Sequence, residues 1–499
     1  MFMLELSILA AICAASYVLK IPYFNLPLDR DFGAHGYIAY SMLKRKQVLY
    51  RDLYESKTPG LKLIYMLILR WFGLSRKSFR QFFALYNILT TIAVYALGAR
   101  LFSPAAGLAA ALLYALYSSV PCLWWHFSNT ESYYVLPATL SFLFLAYGAT
   151  GLVTTTFICI MLSGLLGGTT FMFKQPSLIS TAAPAVFYLL LYAPHALVVD
   201  LGLYGAGFSL PIIAFYVNFI VIKKTPWKKL PFSLESLNIL HKYLTTPLFK
   251  ANRTTIESNR RRFRTIFYDI IFLVVFSTAG GIALVLSPPS PGLMIIGWVI
   301  LSFLAAIISR TYLAYHFIPP IPPMCILAGM VITDVGKNLL SAGLLHGSVV
   351  AALALAAALV LLLMMIYHLV KDLRMPRELL GMFYSGEDHV YALCEEVGKY
   401  IKGVTTEQDY VYSWGHQPDI YLWSERKAAV YCIYPPITNP TTFTREQITD
   451  EFAQLLSNKP KYFVMTSDFG KFKEFEQLLV TNYVLEKKYE PYIYVFKAK

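Results

Sequence analysis

Apolar residues fill this chain in blocks about 20 residues long, the length a helix needs to cross roughly 30 Å of hydrocarbon. The first is "MFMLELSILAAICAASYVL", and others run over 80–101, 103–123, 133–150, 152–173, 176–193, 197–222, 266–287, 290–309, 311–333 and 347–370. The opening block has no basic stretch before it and carries Glu5, so it reads as an uncleaved span and not as a secretory signal. Counting it gives about eleven spans. Only 14% of the residues are charged, against about 25% in a soluble globular chain. The expected class is a polytopic α-helical membrane protein.

Three stretches depart from the spanning pattern. Residues 22–79 form an elaborate loop. Within it, "TPGLKLIYMLILRWFG" (58–73) is short for a crossing and carries Lys62 and Arg70. It is expected to lie in the interface plane with both basic residues facing water, and "GAHGYIAYSMLKRK" before it is expected to do the same. Residues 223–265 hold eleven basic residues against Glu235 and Glu257. Residues 371–499 alternate strand-like runs ("DYVYSW", "KYFVMT", "YIYVF") with amphipathic helical ones ("REQITDEFAQLLSN", "GKFKEFEQLL"), the pattern of a small α/β domain. The expected division is therefore a transmembrane domain, 1–370, and a C-terminal soluble α/β domain, 371–499. An odd number of spans puts all three stretches on one face. By the positive-inside rule, the basic loop makes that face cytoplasmic.

The formal net charge is +14, which suits anionic lipid surfaces, phosphate ligands or nucleic acid. With most of the chain in lipid, the first two are expected and nucleic acid is not. Of six scattered cysteines none forms a CxxC pair, and only Cys394 and Cys432, both in the tail, are placed to pair with each other.

Against this background the stretch "LPLDRDFGAHGYIAY" (26–40) stands out, since two acids, Asp29 and Asp31, flank an arginine directly after a span. The plain reading is that they are solvated, or that Asp31 caps the following helix. A second charged cluster, "VLYRDLYESKTPG" (48–60), brings Arg51, Asp52, Glu55 and Lys57. Two such clusters at headgroup level, one short helix apart, suit an active-site floor. Carboxylates there can take a proton from a hydroxyl or ligate a divalent metal, and Arg or Lys can hold a phosphate.

The run "DRDFGAHGYIAYSMLKRKQVLYRDLYESKTPG" resembles the first external loop of GT-C glycosyltransferases. It looks most like the superfamily of protein O-mannosyltransferases, lipid A aminoarabinose transferases and lipid A galacturonosyltransferases (glycosyltransferase family 39-like). Many members show an acid pair, a Tyr-rich helix, then "YRD" and "K-x-P". Here those are Asp29 and Asp31, then Tyr50, Arg51 and Asp52, then Lys57, Thr58 and Pro59. Further matching positions are Asn129 and Glu131 in "WWHFSNTESYYVLP", Lys174 and Gln175 in "FMFKQP", and Arg310, Tyr315, His316 and Pro319 in "RTYLAYHFIPPIPP". The tail's "YVYSWGHQPDIYLWSERK" is similar to the start of the family's C-terminal domain. The chain departs where relatives often have Glu after the acid, since it has Phe32, and where "KRKQVLY" adds Lys44, Arg45 and Lys46.

The resemblance implies an enzyme that moves a single sugar from a polyprenyl-phosphate donor to a hydroxyl of an envelope acceptor, whether lipid A or its core, another glycan, or a protein. Asp31 would be the general base of an inverting displacement, and Asp29 would orient the acceptor or, with Asp31, ligate a divalent cation such as Mg or Mn. Arg51, Asp52, Lys57, Glu131, Lys174, Arg310 and His316 would bind substrate or its phosphate. The site would face the external or periplasmic side of the cell (inner) membrane. This opposes the positive-inside reading, although long loops translocate with little regard to charge. The plain readings are that Glu131 caps a span, that Lys174 snorkels, that Arg310 and His316 are structural, and that the basic loop anchors lipid headgroups. Competing functions are a lipid or solute transporter (flippase), disfavoured because the charges sit near span ends, and a polymerase or ligase of lipid-linked glycans.

Overall fold

A computed structural model describes residues 2–119, 123, 125, 129–149, 153–192, 196–231, 253–287, 290–308, 313–335, 363, 367, 390–434, 445–470, 472–490 and 493–499. Its helices are α1 (Phe2–Val18), α2 (Arg30–Lys44), α3 (Gly60–Trp71), α4 (Arg76–Leu101), α5 (Pro104–Tyr117), α6 (Thr130–Gly148), α7 (Val153–Phe171), α8 (Ala183–Tyr192) and α9 (Leu197–Tyr216). They continue with α10 (Arg253–Asp269), α11 (Ile271–Val285), α12 (Leu293–Ile308), α13 (Ile321–Met330), α14 (Val390–Val404), α15 (Asp419–Ser424), α16 (Arg445–Asn458) and α17 (Lys473–Asn482). The chain gathers into two compact units that cut across its order. One comprises Met1–Phe24, Arg80–Val217 and Pro247–Arg374, the other Asn25–Phe79, Asn218–Thr246 and Met375–Lys499.

The first unit is a helical membrane body. Among the described residues, Met3–Tyr23, Arg76–Leu101 and Leu197–Ile222 are long and apolar enough to cross a bilayer, and Arg260–Asp269 with Ile271–Val285 forms a pair bent by 71°. Shorter apolar helices fill most of the other expected blocks. The block 311–333 begins its helix only at Ile321, after a tight turn at Ala314–Phe317. Its prolines at 319, 320, 322 and 323 explain the late start, because proline suits a first helical turn but not an interior. Block 347–370 lies outside the described residues apart from 363 and 367. Small residues set the closest packing. A Cβ on Gly164 of α7 would fall 2.1 Å from the Tyr204 carbonyl of α9, and one on Gly207 2.1 Å from that of Met161. Only glycine lets these two backbones come so near, the usual device where helices associate in lipid.

The second unit joins the loop that follows α1 to the tail. Its sheet has the order β2-β1-β3-β5-β4, from β1 (Tyr410–Trp414), β2 (Lys427–Ala428), β3 (Tyr462–Met465), β4 (Tyr483–Tyr489) and β5 (Ile493–Ala498). β1 runs parallel to β2 and β3, while β5 is antiparallel to β3 and β4. The strand-like runs and amphipathic helices of the tail thus lie where their periodicities put them. The core is aromatic, built from Tyr412, Trp414, Phe463, Phe469 and Phe475. Cys394 and Cys432 are both free: Cys432 Sγ donates to the Tyr434 carbonyl at 3.1 Å, and Cys394 lies beside Asp419.

Helix α2 is the centre of this unit. Phe32 meets Phe79 edge-on at 4.4 Å and Tyr65 of α3 at 4.8 Å. On its other side a Cβ at Gly33 would lie 2.3 Å from Asp419 Cβ, and one at Gly36 2.7 Å from Leu422 Cδ2. The two glycines therefore let α15 of the tail press against α2. The Tyr37 hydroxyl accepts the Ala428 N–H at 2.7 Å, tying α2 to strand β2 as well.

Candidate active site

The candidate residues form two clusters, one in each unit. In the second unit Asp29 has extended backbone before α2, and its carboxylate accepts the Phe32 N–H at 2.8 Å. Asp29 is therefore the N-cap, where a carboxylate satisfies an otherwise orphaned amide. The sequence had offered that place to Asp31. Asp31 lies instead in the first turn, its side chain 25% exposed and Arg30 Nε 3.9 Å away. There it also faces the positive end of the helix dipole. His35 follows one turn later on the same face.

Glu55 organises the segment that carries Lys57. Its Oε1 accepts the Lys57 N–H at 2.9 Å, while Oε2 stands 2.6 Å from Lys62 Nζ and 3.5 Å from His35 Nδ1. The side chains of Glu55, Lys62 and His35 are 9%, 1% and 4% exposed. Lys62 thus turns inward, contrary to the water-facing reading, because Glu55 supplies a buried counter-charge. Arg70 at the far end of α3 is exposed as expected. Burial, aided by Lys62, lowers the His35 pKa to about 4, so the ring is neutral. Burial also lowers Lys62 to about 8, with Glu55 opposing. Burial alone would raise the Glu55 carboxyl, but Lys62 and then His35 outweigh it and hold the group well below the ordinary carboxylate range.

The charge of Lys57 acts on all three, and that of Asp31 acts on Lys62. A carboxylate and a lysine that can serve as base and phosphate-binding cation therefore share one electrostatic neighbourhood. The tail reaches it through Tyr434, whose hydroxyl is pushed well up by burial and by Asp31 and Glu55, against Arg30. Asp419 is fully buried behind α2. Burial, then Asp29 and Glu395, raises its pKa to about 8.

Arg51 and Asp52 do structural work nearby. Asp52 accepts the Val48 N–H at 2.8 Å, closing the turn before it, and the Arg51 guanidinium forks its two oxygens at 2.9 and 3.0 Å. Arg51 also donates to the Lys223 carbonyl at 3.3 Å, and Lys229 to the Arg51 carbonyl at 3.1 Å. The start of the basic loop is thereby stitched to the "YRD" turn.

The first unit brings Glu131, Lys174 and His316 together. Glu131 sits buried in the first turn of α6 and pairs with Lys174, which follows α7. His316 Nε2 lies 3.7 Å from the same Glu131 oxygen, and Lys174 Nζ is 5.7 Å above the Tyr315 ring. Three residues distant in sequence thus make one polar cluster at helix ends. Arg310 lies outside the described residues.

Sequence reasoning did not foresee the roles of His35, Lys62, Asp419 and Tyr434. The spacing of four between Asp31 and His35 was a legible signal, since it places both on one helix face. Among the described residues no group of three or more His, Cys, Asp or Glu side chains is gathered to hold a metal ion. One Asp29 oxygen is also committed to the helix cap. A divalent cation expected at this pair would be held chiefly by Asp31, with phosphate oxygens of the donor completing its shell.

Residues 394–499 match a family model described as the C-terminal domain of the putative competence-induced protein Ccs4. No curated protein matches the chain. Among solved structures the chain is similar to ArnT from Cupriavidus metallidurans bound to undecaprenyl phosphate. That match has 15% identity and a TM-score of 0.61, covering 98% of this chain and 97% of that one. It is also similar to the oligosaccharyltransferase AglB from Archaeoglobus fulgidus in complex with an inhibitory peptide and a dolichol-phosphate, with 13% identity, a TM-score of 0.55, and coverage of 94% and 70%. The arabinofuranosyltransferase AftD from Mycobacteria matches at 12% identity and a TM-score of 0.51, over 98% of this chain and 40% of that one. By its architecture this polytopic membrane chain has the GT-C fold.

Proposed function

We propose that the protein is a membrane glycosyltransferase that moves one sugar from a polyprenyl-phosphate donor to a hydroxyl of an envelope acceptor on the external face. The observation that carries this reading is the placement of Asp31. It is a partly exposed carboxylate on the first turn of α2, in the same field as Lys57. Asp31 takes the proton of the acceptor hydroxyl as that oxygen attacks the anomeric carbon. The bond from that carbon to the phosphate oxygen breaks in the same displacement, so the configuration inverts. The lipid phosphate leaves with one more negative charge, which Lys57 stabilises because it is already in place. A positioned base contributes roughly 10²–10⁴-fold. Glu55 holds the Lys57 segment, and neutral His35 adds no competing charge beside Asp31.

The bound carriers of the structural neighbours support a lipid-linked donor, undecaprenyl phosphate in ArnT and dolichol-phosphate in AglB. The likeness to an oligosaccharyltransferase also favours a second reading, transfer of a whole lipid-linked glycan. Both are tested by presenting the purified protein with undecaprenyl-phosphate monosaccharides and with a lipid-linked oligosaccharide. Release of undecaprenyl phosphate from a monosaccharide donor is expected. Turnover of the oligosaccharide alone would favour the second reading, and turnover of neither would count against both.

A further inference from the structure

Helix α10 has chemistry that sugar transfer does not use. Its segment Arg260–Asp269 meets the apolar α11 at 71°, so it cannot be the first part of one straight span. Arg260, Arg261, Arg262 and Arg264 are all exposed. None of these guanidiniums has an ion-pair partner among the described residues. Ile266 and Ile270 are 5% and 1% exposed and fasten one face of the helix to the protein. Phe263 packs edge-on against Phe317 at 5.8 Å and stacks with Phe267, yet these two rings stay 37% and 38% exposed, and Tyr268 63%.

At about 100° per residue, Phe263 and Phe267 form one row along the helix. Arg260 and Arg264 form the adjacent row, one turn apart in the same way. Arg261 and Arg262 lie on the far side of the helix from that aromatic edge. We propose that α10 is a membrane-surface helix that binds anionic phospholipid headgroups, with Arg260 and Arg264 gripping their phosphates while Phe263 and Phe267 enter the acyl boundary. The guanidinium suits this ligand because its planar fork matches phosphate oxygens in pairs. A neighbouring apolar edge distinguishes a lipid from a soluble polyanion, which would read the outward arginines equally well.

The test is native mass spectrometry of the purified, delipidated full chain, titrated with phosphatidylglycerol or with phosphatidylcholine of the same acyl chains. Wild type is expected to retain phosphatidylglycerol preferentially. R260Q/R264Q should lower that preference by about tenfold, whereas R261Q/R262Q should change it less than about twofold. Since all four positions are exposed, thermal unfolding of both variants should match wild type. Equal losses in the two pairs would replace the specific grip with diffuse attraction and overturn the proposal. Unchanged preference in R260Q/R264Q, or no preference in wild type, would overturn it as well.

Discussion

A buried ion pair holds the floor of the candidate site, and its energetics follow from burial more than from attraction. Glu55 and Lys62 stand 2.6 Å apart with side chains 9% and 1% exposed. Removing one partner strands the other charge in a dry setting, at a cost of about 3–5 kcal/mol, whereas replacing both by apolar groups costs far less. Glu55→Gln should therefore lower the melting temperature sharply, and the double variant E55Q/K62M should recover much of the loss. Equal destabilisation by single and double variants would mean that Glu55 acts mainly through the Lys57 amide. Asp419 offers a test by pH. Unfolded, its carboxyl ionises near 4, while in the folded chain it keeps its proton up to about 8. Between these values the folded state binds more protons, so stability falls as pH rises, by up to about 1.4 kcal/mol per pH unit. Above about 8 this contribution no longer changes. Melting curves from pH 5 to 8 should therefore slope downward in wild type and be flatter in Asp419→Asn. Some slope should remain from Glu451, which burial also raises to about 8. Identical slopes would show that Asp419 is already ionised in the fold.

At the scale of elements, the seat of α2 depends on two glycines. Gly33→Val would drive a side chain into Asp419 Cβ and backbone, where even a Cβ has only 2.3 Å. It should loosen α15 from α2, seen as faster amide exchange across both helices, while Gly403→Val, at an exposed position of α14 with open space around it, serves as a control of the same chemistry. Retained protection in Gly33→Val would mean that the contact carries little of the unit's stability. The long helices were legible because twenty apolar residues in a row leave few alternatives. Strands β1, β3 and β5 of the tail were legible through runs such as "YVYSW", whereas their pairing and the two-residue β2 were not. Strand β4 was not foreseen, because Glu486, Lys487 and Lys488 lie in an edge strand that is exposed along nearly its whole length and shows no apolar alternation. The inward turn of Lys62 was equally hidden. Its partner lies seven residues back across a Pro-Gly turn, and nothing in the local pattern tells a buried lysine from a solvated one.

For the whole molecule, the lesson concerns how the chain is divided. Reading along the sequence separates the loop after α1 from the tail by some three hundred residues, yet both belong to one compact unit. Acids and cations of the loop could be picked out by residue type, but Asp419 and Tyr434 could not, since only the fold brings them to α2. The first unit likewise unites Glu131, Lys174 and His316 from three places in the chain. The proposed role of Asp31 as the base of a sugar transfer is tested by one substitution. Purified wild type and Asp31→Asn should be compared for release of undecaprenyl phosphate from the monosaccharide donor that wild type turns over, with donor binding measured in parallel. Turnover is expected to fall by about 10²–10⁴-fold while donor affinity stays within about twofold, because the carboxamide keeps the shape and loses only the proton acceptor. Turnover in Asp31→Asn equal to that of wild type would contradict that role.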